Sequence, residues 1–360
     1  MIEKLGKTCL EGQKPRSTSG HLGLVLILML LCLLGTVSIV ERASATVVQV
    51  YDFRGHSVIL PRHAQRIVCL IESALSGLYM LGVGDRVVGV STNVYESSVR
   101  PYYEALDARI RSKTLPAPGN WDFINVESVV ALEPDLVILW AHQTEAIRAL
   151  ESRGLPVFGV FIQRFSDVHR EIEALGMLTG TEARARELKA MVAQEPAWVQ
   201  RTLQDSKAQS PPTVYFMWAQ GDLETSGGPS TVNELIEAAG GRNAFKDLPH
   251  EHAVVRWENL LRANPDVVVM WVNSTRDPWH ILNDARWRSV KAVQTGRVHE
   301  LPDIFLCDLW TLKYPIAVMT VAQWLHPNTS LKEDIRQRRR LFLERLYNSD
   351  TVGRVADHAP

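Results

Sequence analysis

Three histidines have the side-chain chemistry and spacing to suggest a metal site. His250 and His252 flank Glu251 in an H-x-H arrangement, and His142 lies far upstream as a conceivable third ligand. Zinc and related metals bind imidazole and carboxylate groups, but such a site needs three or four ligands that converge in space. An isolated H-x-H is typical of solvated loop histidines. The sequence therefore favours no metal site, with direct coordination by these residues as the alternative.

No sequence motif indicates catalysis. The chain has no G-x-S-x-G elbow, no P-loop, no H-E-x-x-H and no dinucleotide fingerprint. Gly82-Val83-Gly84 precedes an apolar strand-like run, whereas a phosphate-binding loop opens a helix. The net charge of -1 shows none of the basic excess that nucleic-acid binding requires. We predict a non-enzymatic protein with no resident cofactor and no nucleic-acid partner.

A helix, a Pro-Asp turn and an apolar strand follow one another twice, at 126–140 and 257–271. The equivalent glutamates, Pro-Asp pairs and closing tryptophans are each 131 positions apart. This offset is far longer than the roughly 20 to 50 residues of solenoid repeats, so it indicates two duplicated lobes. We interpret the Pro-Asp pairs, at 134–135 and 265–266, as packing elements without a ligand role.

The predicted fold is α/β, with two parallel-sheet lobes joined by a long helical connector and a ligand cleft between the lobes. Apolar runs at 66–70, 87–90 and 136–140 alternate with helical segments, which favours a parallel sheet. In the connector, Ser166 is the expected helix cap and Pro196 the expected interruption. The predicted boundaries are 46–163 for the N-terminal lobe, 164–210 for the connector, 211–328 for the C-terminal lobe, and 329–360 for a C-terminal helix with a disordered tail.

The N-terminus has the chemistry of an export signal. Basic residues precede an apolar stretch at 22–40, and Ala43-Ser44-Ala45 offers a cleavage site, so residues 1–45 are predicted to be a signal peptide. The same stretch is long enough to remain as an uncleaved anchor. The predicted location is the periplasm. Of the four cysteines, Cys69 and Cys307 would remain, and we expect both to be buried free thiols.

Several segments, taken together and in order, resemble the periplasmic binding proteins for vitamin B12 and ferric siderophores, the helical-backbone type of ABC-importer component. These segments are 66–74, 82–91, 227–231, 240–245 and 296–298, together with the glutamates and Pro-Asp pairs of the repeat. The resemblance implies a monomer that captures a small molecule and delivers it to an ABC permease with its ATPase. The expected ligand is an iron chelate, either a siderophore or haem, or a corrinoid. Alternatives are molybdate, tungstate or a divalent metal, or a membrane-tethered sensor that uses the same cleft.

In this family one surface glutamate on each lobe docks onto permease arginines, and the matching positions are Glu127 and Glu258. Two carboxylates on equivalent helices would give a two-point register for a two-fold partner. The alternative is that both are solvated acids at helix starts, which the helix dipole favours.

Ligand contacts are expected in the loops that follow the strands. The residues singled out are Glu72, Ser73, Tyr95, Trp121, His142, Trp218, Asn273, Asp308 and Trp310. Trp121 matches a place where B12 binders offer an aromatic ring. Glu72 and Ser76 depart from the family, which commonly has proline and glutamate there, and a carboxylate in the cleft argues against a strongly anionic ligand. Positive charge for a ferric siderophore could come from Arg164, Arg256, Arg276 and Lys313.

Overall fold

Each of the two predicted lobes contains a four-stranded parallel sheet, in a computed structural model that describes residues 47–205, 210–272, 275–329 and 331–357. Residues 46–360 belong to one compact unit. The expected export segment at 1–45 and the expected contact residue Asn273 lie outside the described residues. Within the described part of the chain, no helix is long and apolar enough to cross a membrane. The predicted α/β class and two-lobe architecture are confirmed.

The N-terminal lobe begins with an antiparallel hairpin and continues with a parallel sheet in the order β4-β3-β5-β6. Its sheet strands are almost entirely buried, as expected of apolar strands that helices cover on both faces. Its elements are β1 (Val48–Tyr51), β2 (Ser57–Leu60), β3 (Ile67–Cys69), α1 (Glu72–Met80), β4 (Val87–Val90), α2 (Arg100–Leu106), α3 (Ala108–Arg111), α4 (Val126–Ala131), β5 (Leu136–Trp140), α5 (Thr144–Glu151) and β6 (Val157–Val160).

The connector consists of three helices, α6 (Phe165–Thr179), α7 (Glu182–Val192) and α8 (Gln194–Asp205). The expectation that Ser166 caps the first helix is wrong, because the Asp167 carboxylate accepts the N–H groups of Gln163 and Arg164 at that end. Gly180 ends α6 in the left-handed conformation, at φ 74°. Pro196 lies in the first turn of α8, where the absence of its N–H loses no hydrogen bond within the helix. The helical segment is interrupted just before α8 begins.

The C-terminal lobe repeats the architecture with a parallel sheet in the order β12-β11-β7-β9. A short antiparallel pair, β8 with β10, lies beside it. Its elements are β7 (Thr213–Met217), β8 (Glu224–Thr225), α9 (Thr231–Ala238), β9 (Arg242–Asn243), β10 (Ala253–Val254), α10 (Trp257–Ala263), β11 (Val267–Met270), α11 (Pro278–Asn283), α12 (Lys291–Gln294), β12 (Val298–Glu300) and α13 (Tyr314–Leu325).

The repeated Pro-Asp turn has the same structural role in both lobes. The Asp135 carboxylate accepts the backbone N–H groups of Gln65 and Arg66, at 2.9 and 2.8 Å, where β3 begins. The Asp266 carboxylate accepts the N–H of Thr213 at 2.8 Å, where β7 begins. Each aspartate therefore ties a helix-to-strand turn to the first strand of its sheet, which confirms the packing interpretation of the repeat.

Two helices follow the C-terminal lobe, α14 (Leu331–Tyr347) and α15 (Asp350–Asp357). The expectation of a disordered tail after the C-terminal helix is wrong for 350–357, because α15 buries Val352 and Ala356 on one face. Helix α14 contacts α1 and α13, and α15 packs against α2 of the N-terminal lobe. The end of the chain thus covers part of the first lobe.

Cys69 and Cys307 are both free and buried, as predicted. Burial raises the pKa of the Cys307 thiol to about 12 and shifts the pKa of Cys69 upward as well. Because the thiolate is the reactive form, both groups are inert core residues at neutral pH.

Candidate functional site

A cavity of about 490 Å³ lies between the two lobes. Parallel strands present their carboxyl ends at one edge of a sheet, so the loops that follow β3, β4 and β5 converge on one side of the cavity. The opposite side comes from the segment after β12 and from the loop before β10. The lining residues are Glu72, Ser73, Asn93, Glu96, Ser98, Val99, Tyr103, Trp121, Trp140, His142, His252, Ile304, Phe305, Asp308 and Trp310.

Six of the nine expected contact residues lie around this cavity, and their part in binding stays a prediction. The six are Glu72, Ser73, Trp121, His142, Asp308 and Trp310. Tyr95 does not line it, because its hydroxyl donates to the carbonyl of Leu115 at 2.8 Å. Trp218 does not line it either, since it is buried behind Trp310. Asn273 lies outside the described residues.

An exposed indole forms part of the N-terminal wall. The Trp121 side chain is 55% exposed, and its loop is fixed at the end of β5 by Gln143. The Gln143 amide donates to the carbonyl of Asn120 at 2.9 Å and accepts the N–H of Trp140 at 3.2 Å. The backbone beside Trp121 is thus held in place, and the ring has the open face that stacking on a flat ligand requires.

Three tryptophans support the C-terminal wall. The rings of Trp271 and Trp310 are 5.5 Å apart, and so are those of Trp218 and Trp271. Trp218 stacks behind Trp310 at 6.3 Å and donates its indole N–H to the carbonyl of Glu251 at 3.2 Å. Trp310 is therefore a rigid aromatic surface, because the rings behind it leave it no room to rotate.

Each wall also carries a histidine beside a tryptophan. His142 stacks on Trp140, with ring centroids 6.3 Å apart, and His252 stacks on Trp218 at 4.5 Å. The Nδ1 atom of His252 lies 2.8 Å from the Glu224 carboxylate, so its Nε2 is the atom left to meet a ligand. The described residues contain no group of three or more His, Cys, Asp or Glu side chains arranged to hold a metal ion.

The floor of the cavity is acidic. Glu72 accepts a hydrogen bond from the Ser91 hydroxyl, and Asp308 accepts the N–H of Trp310 at 3.0 Å. Burial raises the pKa of both carboxyl groups, against the lowering effect of Ser91 on Glu72 and of Lys313 on Asp308. A neutral or positively charged ligand group would therefore be favoured at this end of the cleft.

A second buried layer lies below the floor. The Lys313 ammonium is 3.6 Å from the centre of the Phe305 ring and 4.0 Å from the Asp308 carboxylate. Burial lowers the pKa of Lys313 to about 8 and, with the charge of Asp308, raises the pKa of Glu171 to about 8. One Glu171 oxygen is buried without a hydrogen-bond partner among the described residues. This layer joins the connector, α1 and the C-terminal lobe.

Among the described residues, no arginine or lysine lines the cavity. Arg164 and Arg256 do not reach it, and Lys313 is wholly buried behind it. Arg276 pairs with Asp222 at 2.8 Å in a different cavity of the C-terminal lobe. The expectation that these four residues supply positive charge to an anionic ligand has no support in the geometry.

The side of the cleft formed by Ser98, Val99 and Tyr103 was not predicted from the sequence. These residues lie at and within α2, which no apolar periodicity indicated. Pro101 was the available signal, because proline is favoured in the first turn of a helix. The position of Ile304 at the cleft was also not predicted, because no sequence motif surrounds this residue.

The two expected docking glutamates lie at equivalent places on the two lobes. Glu127 is the second residue of α4, and Glu258 is the second residue of α10. Both are exposed, and Glu127, with a side-chain exposure of 79%, forms an exposed ion pair with Arg153 at 3.3 Å. An exposed pair of this kind contributes about 0 to 1 kcal/mol, so the carboxylate remains available to a partner.

Two α/β lobes, a helical connector and an interlobe cleft with polar and aromatic walls define a two-lobed solute-binding protein. The chain belongs to the periplasmic binding protein family, whose model matches residues 67–304. It is thus a substrate-binding component of an ABC importer, as predicted, and not an enzyme. The predicted periplasmic location is confirmed by the same family.

Its relatives are distant. An uncharacterised ABC transporter substrate-binding lipoprotein, YvrC of Bacillus subtilis, is 27% identical over 274 residues, covering 73% of this chain and 81% of the relative. A vitamin B12-binding protein of Yersinia pestis is 26% identical over 210 residues, covering 58% and 69%. The Helicobacter pylori CeuE structure, a nickel–histidine complex, superimposes with a TM-score of 0.72 at 19% identity, covering 87% and 99%, which shows a shared fold.

Proposed function

We propose that this protein captures a planar metal complex, foremost a corrinoid, in the cleft between its lobes and delivers it to a membrane permease with its ATPase. The observation that carries the proposal is the pair of facing aromatic walls, with Trp121 on one side and Trp310 on the other. A flat macrocycle offers two faces to such walls, and each stacked ring adds about 0.5 to 1.5 kcal/mol beyond burial.

The charge of the cleft supports a corrinoid over an anionic ferric siderophore or molybdate. Glu72, Glu96 and Asp308 line the cavity, and no arginine or lysine among the described residues lines it with them. An anion would therefore be desolvated against carboxylates without a compensating cation. A distant relative with a vitamin B12-binding name is in keeping with this choice.

Haem or another iron chelate is the second candidate, and His252 is the observation that favours it. Metal-ligating histidines usually donate their second ring nitrogen to a carboxylate, and Glu224 holds His252 in that way. The remaining Nε2 atom would be suited to an axial position of iron or cobalt.

A ligand panel tests the proposal. A ligand that binds only the folded state raises stability by RT ln(1 + [L]/Kd), so thermal unfolding should shift with the right compound. We expect a shift with cobinamide or cobalamin and none with molybdate or free divalent metals. A shift with haemin alone would select the second candidate, and a shift with none of the chelates would contradict the proposed ligand class.

A further inference from the structure

Two carboxylates from opposite lobes line the floor of the cleft. Glu72 is the first residue of α1 in the N-terminal lobe, and Asp308 lies between β12 and α13 in the C-terminal lobe. Both line the cavity. Burial raises the pKa of Glu72, and the charge of Asp308 raises it further, so the two groups lie within electrostatic range of each other. A group that donates hydrogen bonds to both would bridge the lobes.

Ser73 gives an independent indication that a ligand group belongs here. The residue lines the cavity and is only 6% exposed. Its Oγ atom has no hydrogen-bond partner within the described part of the chain. A buried polar group without a partner destabilises the protein, and a bound ligand that pairs with it would remove that destabilisation.

The chemistry of this floor determines which chemical groups at the edge of the ligand can bind there. An ionised carboxylate only accepts hydrogen bonds, and a serine hydroxyl can donate or accept. A ligand carboxylate at the same place would face like charges, and Lys313 is already engaged with Ser76 at 3.1 Å behind the floor. A primary amide offers two donors with a carbonyl, and an ammonium offers three donors.

We propose that Glu72, Ser73 and Asp308 form a subsite for a carboxamide or ammonium group at the rim of the bound metal complex, and that this subsite rejects rims that carry carboxylates. The inference rests on the proposed function and narrows its ligand class. Amide-rimmed corrinoids satisfy the subsite, whereas haem, with two propionates, and ferric catecholates do not.

Calorimetric titration of the purified protein with two corrinoids tests the subsite. Dicyanocobinamide carries amides around the ring, and dicyanocobyrinic acid carries carboxylates at those positions. Like-charge contacts cost several kcal/mol, so we expect the amide form to bind about a hundredfold more tightly. Glu72→Gln keeps an acceptor for Ser91 and should reduce this preference about tenfold, since one charge at the floor is lost.

Glu145→Gln is the matched control, because it removes the same charge from an exposed turn of α5 that does not line the cavity. It should leave the preference between the two corrinoids unchanged. Asp308→Asn provides a second floor variant, with thermal unfolding of each variant as the test of folding.

Four outcomes would overturn the inference. Equal binding of the two corrinoids by the unaltered protein would remove the subsite and leave the proposed function standing. An unchanged preference in both folded floor variants would do the same. Tight binding of haemin without binding of either corrinoid would show that the floor admits carboxylates, while the importer role would stand. Binding of no chelate would instead contradict the proposed ligand class, and the inference would fail with it.

Discussion

The ammonium group of Lys313 donates to the hydroxyl of Ser76 at 3.1 Å and so joins the C-terminal lobe to helix α1 of the N-terminal lobe. Lys313 is wholly buried. A second link lies nearby, where the ring of Tyr102 stacks on Phe305 at 4.4 Å and its hydroxyl donates to Asp303 at 3.1 Å. The two lobes are thus linked at two neighbouring places below the cleft.

Ser76→Ala should weaken this link. The variant removes a hydrogen-bond partner of a buried cation, and we expect a loss of about 1 to 3 kcal/mol in the free energy of unfolding. Urea denaturation measures the loss. Ser97→Ala, at an exposed position, is the control. Equal stability of the two variants would show that the Lys313 ammonium does not depend on Ser76.

Because of Glu171, the free energy of unfolding should fall as the pH rises. Burial raises its folded pKa to about 8 from an ordinary value of 4.5, so the folded state holds the proton more tightly than the unfolded state. The stabilisation is complete below pH 4.5 and is lost as the pH rises to about 8. Between pH 5 and pH 7 the loss should be about 3 kcal/mol.

Glu171→Gln should remove this pH dependence, because the amide does not titrate. Urea denaturation at pH 5 and pH 7 would give a smaller difference for the variant than for the unaltered protein. Glu173→Gln, two residues further along α6 and partly exposed, is the control and should keep the original difference. If the Glu171→Gln variant kept the same difference in stability between pH 5 and pH 7, Glu171 would not be the source of the pH dependence.

Trp121→Ala should weaken ligand binding without affecting the fold. The ring is already exposed, so its removal leaves no cavity in the core, but loss of stacking and of apolar contact should lower affinity about tenfold or more. Fluorescence titration measures both affinity and quenching by the ligand. Trp279→Ala removes an equally exposed ring outside the cleft and should change neither quantity. Unchanged affinity after Trp121→Ala would exclude this ring from the site.

The double variant Glu127→Gln with Glu258→Gln should bind ligand normally and fail in transport. Both carboxylates lie on outer helix starts, away from the cavity. Because such pairs set orientation and association rate, we expect ligand-stimulated ATPase activity of the reconstituted importer to fall at low protein concentration. Glu145→Gln with Glu237→Gln carries the same charge change and should retain stimulation. Loss of ligand binding in the first double variant would contradict a docking role.

The strands and turns of the two lobes were predictable because the sequence pattern for each lies within one short segment. Apolar runs of strand length marked β4 and β5 at their observed bounds, and the repeated Pro-Asp pairs marked equivalent turns. Helix α15 was not predictable in the same way, since a short charged segment is helical here only because Val352 and Ala356 pack against distant residues. Tertiary contacts of that kind leave no local pattern.

The cleft was predictable as a set of loops and less so as a set of side chains. Residues that closely follow strands, such as Glu72 and His142, do lie at the cavity. Trp218 also follows a strand, but its ring turns inward because two other tryptophans and His252 pack around it. Position in the chain fixes which loop reaches the cleft, whereas packing decides which way each side chain points.

The position of α15 has a consequence for the order of folding. Helix α15 packs against α2, which lies far earlier in the sequence, so the N-terminal lobe cannot bury that surface of α2 until the later segment has folded against it. Long-range contacts of this type form late and slow the folding reaction. The lobe that comes first in the sequence is therefore not the first to be complete.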